Sequence, residues 1–289
     1  MSLVAHLASG VTTVCRCWAI VRGDGVTFGF TDHDRPLAFE GIDFRADTGL
    51  TAGALAQGTG LAVDNGEAMG ILSDAVISEG DIDAGRFDGA SVRAWLVNWA
   101  DPRDRLLQFN GTIGEIRRGA GAFHAELRGL TDRLNQPMGR VYQRTCAAVL
   151  GDATCRVDLG AAGRTLDVAV EAVAGGQRLS FATLAAHPGW FERGTLRVLT
   201  GAAAGLTGIV KSDAGTGPRT LTLWEPLRAA VATGDVVRLV AGCDKRLSTC
   251  RDRFDNTLNF QGFPHIPGED WLVSIPRDSG ENDGGSLFR

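Results

Sequence analysis

The sequence predicts a mainly β protein built from an N-terminal β-sheet domain, an inserted small β-barrel, and a four-cysteine metal-bound junction with short helices. Two long regions alternate apolar and polar residues with a period of two, which is typical of half-buried strands. The 39 glycines among 289 residues supply the turns that many short strands require. Four cysteines stand as two pairs, one on each side of the second β-rich region. The length predicts two domains, or one domain that carries an insertion.

The N-terminal β-rich domain is assigned to residues 1–138. Residues 25–46 (GVTFGFTDHDRPLAFEGIDFRA) predict two or three short strands, because apolar residues alternate between likely turns at Arg35-Pro36 and Glu40-Gly41. The same alternation predicts a strand at residues 91–99 and a hairpin over residues 106–130 that turns at 119–121.

Two short helices are predicted in the same domain. Ser78 can cap a helix within residues 77–87, because a serine hydroxyl at this position accepts a hydrogen bond from a free backbone N–H group. A second short helix is predicted to begin at Thr131.

A second β pattern runs from Leu166 to Val240 and contains enough strand for a small barrel of five or six strands. This inserted barrel domain, residues 166–241, follows a first cysteine segment, residues 139–165, and precedes a second cysteine segment, residues 242–275. The C-terminal residues 276–289 are rich in Gly, Ser, Asp and Asn and lack periodicity, so they predict a tail or a partner-binding arm.

Composition and charge exclude several classes of protein. The net charge of -5 gives no general attraction to nucleic acids, so no direct nucleic-acid binding is expected. No apolar run approaches the roughly 20 residues that a membrane span requires. The N-terminus lacks the basic and apolar regions of a secretory signal, so the protein is expected to be soluble and to assemble in the cytoplasm. Stable disulfides are rare in that compartment.

The cysteine pairs raise the question of a shared ligand. Cys146 and Cys155 have eight residues between them, and Cys243 and Cys250 have six. If the barrel begins and ends at one point, these four thiols can converge there. The alternatives are four unrelated thiols, two disulfides, a zinc site or an iron–sulfur cluster.

The spacing bears on the choice of metal. Structural zinc sites draw close ligand pairs from C-x2-4-C loops, because tetrahedral sulfurs lie only about 3.8 Å apart. A [4Fe-4S] cubane separates its outer thiolates by about 6 Å, so it suits wider loops. The spacing therefore favours a cluster, with zinc as the alternative. Cys15 and Cys17 fall on one face of a predicted strand and are interpreted as core residues.

An enzymatic reading depends on Asp32-His33-Asp34 and on the scattered histidines His124, His187 and His265. The three neighbours lie where a strand meets a turn, so both aspartates are expected to serve as hydrogen-bonding turn residues. His265 lies between two prolines, where contact with a partner or bracing of the cysteine segment is expected. The rival function is a cell-wall hydrolase that uses a Cys–His pair.

Several motifs resemble a known family: GFTDHDRPLAFEG, AWLVNWADP, GTIGEIRRG, NQPMGRVYQRTCAAVLGDATCRVDL and GCDKRLSTCRDRFDNTLNFQGFPHIPG. The sequence is similar to tail-tip proteins, or baseplate hub proteins, of phages and gene transfer agents. The spaced cysteines also resemble those of the L-type iron–sulfur tail-tip proteins of long-tailed phages. The resemblance implies that Cys146, Cys155, Cys243 and Cys250 bind the cluster.

The resemblance also implies the place and partners of the protein. It predicts a structural, non-enzymatic hub in the virion or gene-transfer-agent particle, at the tail tip. A homotrimeric ring would there adapt the six-fold tail tube to a three-fold tip. The implied partners are a distal tail protein, a tail-tip or fibre protein such as a central hub or receptor-binding protein, and a tail peptidase. The resemblance gives no role to Cys15 and Cys17.

Overall fold

The first β-rich region forms one extended sheet. The structure, a computed structural model, describes residues 3–46, 51–52, 65–71, 78–119, 122–129, 132 and 139–266. Within these residues the sheet has the strand order β3-β4-β2-β1-β7-β8-β9-β6-β5. Its strands are β1 (Val14–Val21), β2 (Thr27–Thr31), β3 (Leu37–Phe39), β4 (Ile42–Arg45), β5 (Thr51–Ala52), β6 (Asn65–Ile71), β7 (Ser91–Asn98), β8 (Arg105–Gly119) and β9 (Ala122–Gly129).

The strand pairs are antiparallel, except that β2 and β4 run parallel. Residues 25–46 contain three strands, which confirms the prediction of two or three short strands. The turn between β3 and β4 lies at Glu40 and Gly41, which both have positive φ (52° and 72°). Two consecutive residues with positive φ form a tight hairpin turn whose backbone twist matches the twist of the two flanking strands. The hairpin of β8 and β9 is likewise confirmed.

Both faces of the first sheet are buried around the central strand β1. On one face Trp18 and Ile20 pack with Phe30 and Phe109. On the other face Cys15 and Cys17, which are 6% and 0% exposed, pack with a group that includes Phe44 and Trp95. Because alternate side chains of a strand point to opposite faces, one strand supplies both cores. The core placement predicted for the two cysteines is confirmed.

Short helices flank the first sheet. Helix α1 (Leu3–Ala8) was not indicated by the sequence pattern, and helix α2 (Glu79–Asp83) lies where a helix was predicted. The hydroxyl of Ser78 accepts a hydrogen bond from Asp81 N at 3.1 Å, which confirms the predicted N-cap. The helix predicted to begin at Thr131 lies outside the described residues. No helix among the described residues is long and apolar enough to cross a membrane.

The second β-rich region forms a separate, curled sheet. Its strands, in the order β10-β16-β13-β14-β15-β12-β11, are β10 (Thr165–Ala169), β11 (Ala172–Ala174), β12 (Arg178–Phe181), β13 (Thr195–Val198), β14 (Thr207–Ala214), β15 (Arg219–Leu223) and β16 (Val236–Val240).

The curl of this sheet follows from its first two strands. β10 and β11 lie at opposite edges, yet only Val170 and Glu171 separate them along the chain. Val170 N donates to Asp235 O and Glu171 N to Ser180 O, each at 2.9 Å, so the chain passes directly from one edge to the other. The result is a small barrel-like layer. It has seven strands, not the expected five or six, because its first strand is interrupted here.

The interior of the curled sheet combines an apolar core with one buried ion pair. Phe181, Phe191 and Leu196 are fully buried within it. Arg219, 1% exposed, pairs with Asp213, 6% exposed, at 2.5 Å. The Asp213 carboxylate also accepts from Phe191 N at 2.9 Å. Two buried charges are tolerated here because each partner neutralises the other and makes further hydrogen bonds.

Candidate metal centre

The four cysteines predicted to share a ligand line one small cavity. Cys146, Cys155, Cys243 and Cys250 all contribute to its wall. The remaining wall is largely apolar, with two basic side chains, and consists of Ala148, Leu150, Val157, Lys245, Arg246, Phe254, Asn259 and Phe260. All four are free thiols, not disulfides, and Cys155 and Cys250 are each 8% exposed. Sequence segments nearly a hundred residues apart therefore meet at one shielded point.

Asp152 shapes the loop that carries the first pair. Its carboxylate accepts hydrogen bonds from Val149 N at 2.8 Å, Thr154 N at 2.9 Å and Cys155 N at 2.6 Å. These bonds lower the pKa of Asp152 to about 2, with the bond from Cys155 N as the largest cause. A carboxylate that accepts several backbone N–H groups stabilises a tight turn. The turn brings Cys155 back towards Cys146.

Gly242 and Lys245 direct the chain around Cys243. A Cβ atom at Gly242 would lie only 1.6 Å from Glu192 O, so this approach requires glycine. Lys245 has a positive φ of 66°, which turns the chain sharply after Cys243. Its carbonyl accepts from Cys146 N at 2.8 Å, so the two cysteine segments are joined by a backbone hydrogen bond.

Cys250 lies on helix α3 (Leu247–Phe254), which begins shortly after the sharp turn at Lys245. Cys250 and Phe254 are the buried residues of this helix, four positions apart and therefore on one face. The helix ends at Asp255, whose φ of 49° is left-handed, and a 3₁₀ turn (Thr257–Asn259) follows. Cys243, which precedes α3, therefore does not share a helix with Cys250.

The segment after the 3₁₀ turn closes the remaining side of the cavity. Phe263 N donates to Gln143 O at 2.9 Å, and Ala147 N donates to Gln261 O at 3.3 Å. The backbone N–H of Gln261 also points to Cys146 Sγ, with the two atoms 3.4 Å apart. Three parts of the chain, one before the curled sheet and two after it, are thus hydrogen-bonded together around the thiols.

The surroundings of the cavity disfavour the negatively charged thiolate form of the cysteines when no positive charge is near. Burial raises the pKa of Cys250 to about 11, and the neighbouring Cys146, Cys243 and Cys155 add to this effect. Burial also raises the pKa of Cys243, although a hydrogen bond from the backbone N–H of Lys245 opposes the shift. Thiolates in such a site need a compensating positive charge, which a bound metal supplies.

The four thiols do not form a site for a single ion. No group of three or more His, Cys, Asp or Glu side chains is placed to hold one metal ion in the part of the chain that the structure describes.

The other residues considered for chemistry have structural surroundings. Asp32, directly after β2, accepts from Arg16 N of β1 at 2.7 Å, so its carboxylate joins neighbouring strands. The ring of His33 accepts from Arg35 N at 3.0 Å and packs against Trp99. His265 is exposed. Asp32, His33 and His265 are not among the residues that line the thiol cavity.

Sequence reasoning missed the polar residues that hold the cavity in shape, chiefly Asp152 and Asn256. The amide of Asn256 donates to Cys155 O at 2.6 Å. Asp152 lies three residues before Cys155, a spacing at which an aspartate often closes a turn, so this signal was present in the sequence. Asn256 and its partner Cys155 are 101 residues apart in the sequence, so no local sequence pattern indicates their contact.

Two family models match this chain, one over each pair of cysteines. A family model described as "Baseplate hub protein, N-terminal attachment domain" matches residues 1–158. This chain belongs to the baseplate hub protein family. A second model, "Phage conserved hypothetical protein BR0599", matches residues 189–270 of the hub chain. The first match includes Cys146 and Cys155, and the second includes Cys243 and Cys250.

A solved structure shows the same relationship over the full length of this hub chain. A chain of "Virion of native gene transfer agent (GTA) particle" is 56% identical, with 99% of each chain covered and a TM-score of 0.92. No curated protein matches the sequence. The predicted family of phage and gene-transfer-agent tail proteins is confirmed, and a relative within a virion supports the predicted location.

Proposed function

We propose that this baseplate hub protein is a structural component of the tail tip of a gene-transfer-agent particle. The support is a relative with 56% identity over 99% of both chains within such a virion, together with the hub family match. The proposed role is a ring-forming adaptor between the six-fold tail tube, with its distal tail protein, and a three-fold tip. In this role the protein is a scaffold and not an enzyme.

The same proposal assigns an iron–sulfur cluster, [4Fe-4S], to Cys146, Cys155, Cys243 and Cys250. One observation carries it: all four thiols line a single apolar cavity at which three segments of the chain meet. Four thiols without a common ligand would not be expected to share one cavity. The two basic wall residues, Lys245 and Arg246, suit the negative charge of a thiolate-bound cluster.

The residues present fit a cluster better than zinc. A tetrahedral zinc site needs sulfurs about 3.8 Å apart. Within the described ranges, however, no three candidate ligands are placed to hold one ion. A cubane accepts thiolates about 6 Å apart, which suits cysteine pairs with eight and six residues between them. Zinc is therefore the alternative that the experiment must test.

The cluster would supply metal–thiolate bonds that cross-link distant segments. The residues of the chain prepare this cross-link. Asp152 and Gly242 fix the loops on which Cys155 and Cys243 lie. The side chains of Val157 and Phe254 shield the cavity from water. The junction would then hold the first sheet, the curled sheet and the C-terminal segment at fixed angles.

Metal analysis of the protein purified without oxygen tests the assignment. We expect about four iron and four sulfide per chain and a broad absorption band near 400 nm. Cys250→Ala should lose the iron and fail to assemble into tails, whereas Cys15→Ala should retain the iron. Asp34→Asn should leave assembled particles working. One zinc per chain without iron would refute the cluster.

The oligomeric part of the proposal is a homotrimer that contacts a distal tail protein, a tail-tip or fibre protein and a tail peptidase. In the described part of the first sheet, β3 and β5 are edge strands with one side open to pairing. A neighbouring subunit can cover such an edge in a ring. Native mass spectrometry of the iron-loaded protein should give the mass of three chains, and a monomer at all concentrations would contradict the ring.

A further inference from the structure

Asn256 connects the helix that carries Cys250 with the loop that carries Cys155. Its backbone N donates to Cys250 O at 3.0 Å, which fixes Asn256 to the C-terminal end of α3. Its side-chain Nδ2 donates to Cys155 O at 2.6 Å and lies 3.7 Å from Cys155 Sγ. One residue therefore contacts a thiol-bearing residue in each of the two cysteine segments.

The direction of the Asn256 amide is set by its neighbour. Asn259 Nδ2 donates to Asn256 Oδ1 at 2.7 Å, so the oxygen of the amide faces Asn259. The nitrogen, which is the donor, must then face Cys155. The left-handed turn at Asp255 places Asn256 in this position directly after the helix.

The contact with Cys155 differs from those of the other thiols. Cys146 Sγ receives a backbone N–H from Gln261 at 3.4 Å, and the Cys250 thiol donates to Asn256 O at 3.2 Å. Backbone donors survive any substitution except proline. The donor near Cys155 belongs to the side chain of Asn256, so a single substitution can remove it.

We propose that Asn256 is a positioning residue for the iron–sulfur centre, which holds Cys155 towards the shared cavity and provides an N–H group to its sulfur. This inference rests on the proposed cluster. Outer-shell partners orient metal ligands, and their loss typically weakens metal binding about 10–100-fold. Hydrogen bonds to cluster sulfurs also set the reduction potential, since they stabilise the more negative, reduced form.

The test compares two variants of Asn256 with a matched control. Asn256→Asp keeps the shape of the side chain but replaces the donor with a carboxylate. Asn256→Ala removes the donor without adding charge. Asn98→Asp makes the same chemical change at a buried site of the first sheet, where Asn98 is 6% exposed and accepts from Thr13 Oγ1 at 2.6 Å. This control reports general loss of stability.

Three quantities are measured on protein purified without oxygen: the rate of bleaching by an iron chelator, the midpoint potential, and the Tm. We expect both Asn256 variants to bleach about 10–100-fold faster than the wild type and to have a lower potential. Asn98→Asp should lower the Tm without changing the potential.

Several outcomes overturn the inference. The inference is wrong if the Asn256 variants have the same bleaching rate and midpoint potential as the wild type. It is also wrong if Asn98→Asp changes these two quantities as much as the Asn256 variants do. If both Asn256 variants fail to fold while Cys250→Ala stays folded, Asn256 serves the fold and not the cluster. A wild-type protein without iron would refute the cluster itself, and this inference with it. Iron in the wild type with unaffected variants would refute the role of Asn256 alone.

Discussion

The buried ion pair of the curled sheet offers a quantitative test of what stabilises this region. Asp213→Ala leaves the Arg219 guanidinium, 1% exposed, without its carboxylate partner. It also removes the acceptor of Phe191 N. Breaking a buried pair from one side costs about 3–5 kcal/mol, because the remaining charge stays desolvated. A domain is stable by only about 5–15 kcal/mol, so much of the stability of this sheet should be lost.

Urea unfolding monitored by tryptophan fluorescence measures the loss. The control is Asp167→Ala, which removes an exposed ion pair with Arg238 from the same sheet and should cause no resolvable change. The double variant Asp213→Leu with Arg219→Met should be more stable than Asp213→Ala, because it buries no unpaired charge. An Asp213→Ala protein as stable as Asp167→Ala would refute this account.

Two further predictions concern the cavity and the first sheet. Gly242→Ala would force a Cβ atom to within 1.6 Å of Glu192 O. The chain before Cys243 must therefore move, and iron content should fall in metal analysis, whereas Gly234→Ala, at a position with open space, should retain iron despite its positive φ of 92°. The second concerns Asp24: burial raises the pKa of this carboxyl, but hydrogen bonds from Arg22 and Val26 outweigh burial and hold the pKa below its ordinary value. A lowered folded-state pKa contributes stability above the ordinary value near 3.8, and this contribution is lost as the pH falls through the folded-state pKa. Asp24→Asn should thus be less stable than the wild type at pH 7 and closer to it at pH 2 in thermal unfolding, and an equal difference at both pH values would contradict the assignment.

The sequence was sufficient for the features that depend on local patterns. Alternation predicted most strands of the first sheet, and the hydroxyl of Ser78 caps α2 as its position indicated. Short helices were predicted at the cysteine junction, but the bounds of α3 were not, because its segment, LSTCRDRF, is mostly polar and buries only Cys250 and Phe254. Such a helix is stabilised by packing at its two buried positions rather than by an amphipathic pattern that a sequence window can detect.

The candidate site was only partly within reach of sequence reasoning. The four cysteines could be identified from their pairing around the barrel, but Asn256 could not, because its partner Cys155 lies 101 residues away. The role of Gly242 could not be predicted from the sequence either, because a side chain is excluded there only by the close approach of Glu192 O. Contacts of this kind form between segments that are distant along the chain, so no local sequence pattern predicts them.

The pairing of β10 with β16 has an evolutionary consequence. Thr165 and Val240 are directly opposite each other, so the chain enters and leaves the curled sheet through neighbouring strands. Paired residues of this kind lie about 5 Å apart, a gap that a tight loop can bridge. Insertion of the whole sheet at this point would therefore leave the spacing of the two flanking segments unchanged.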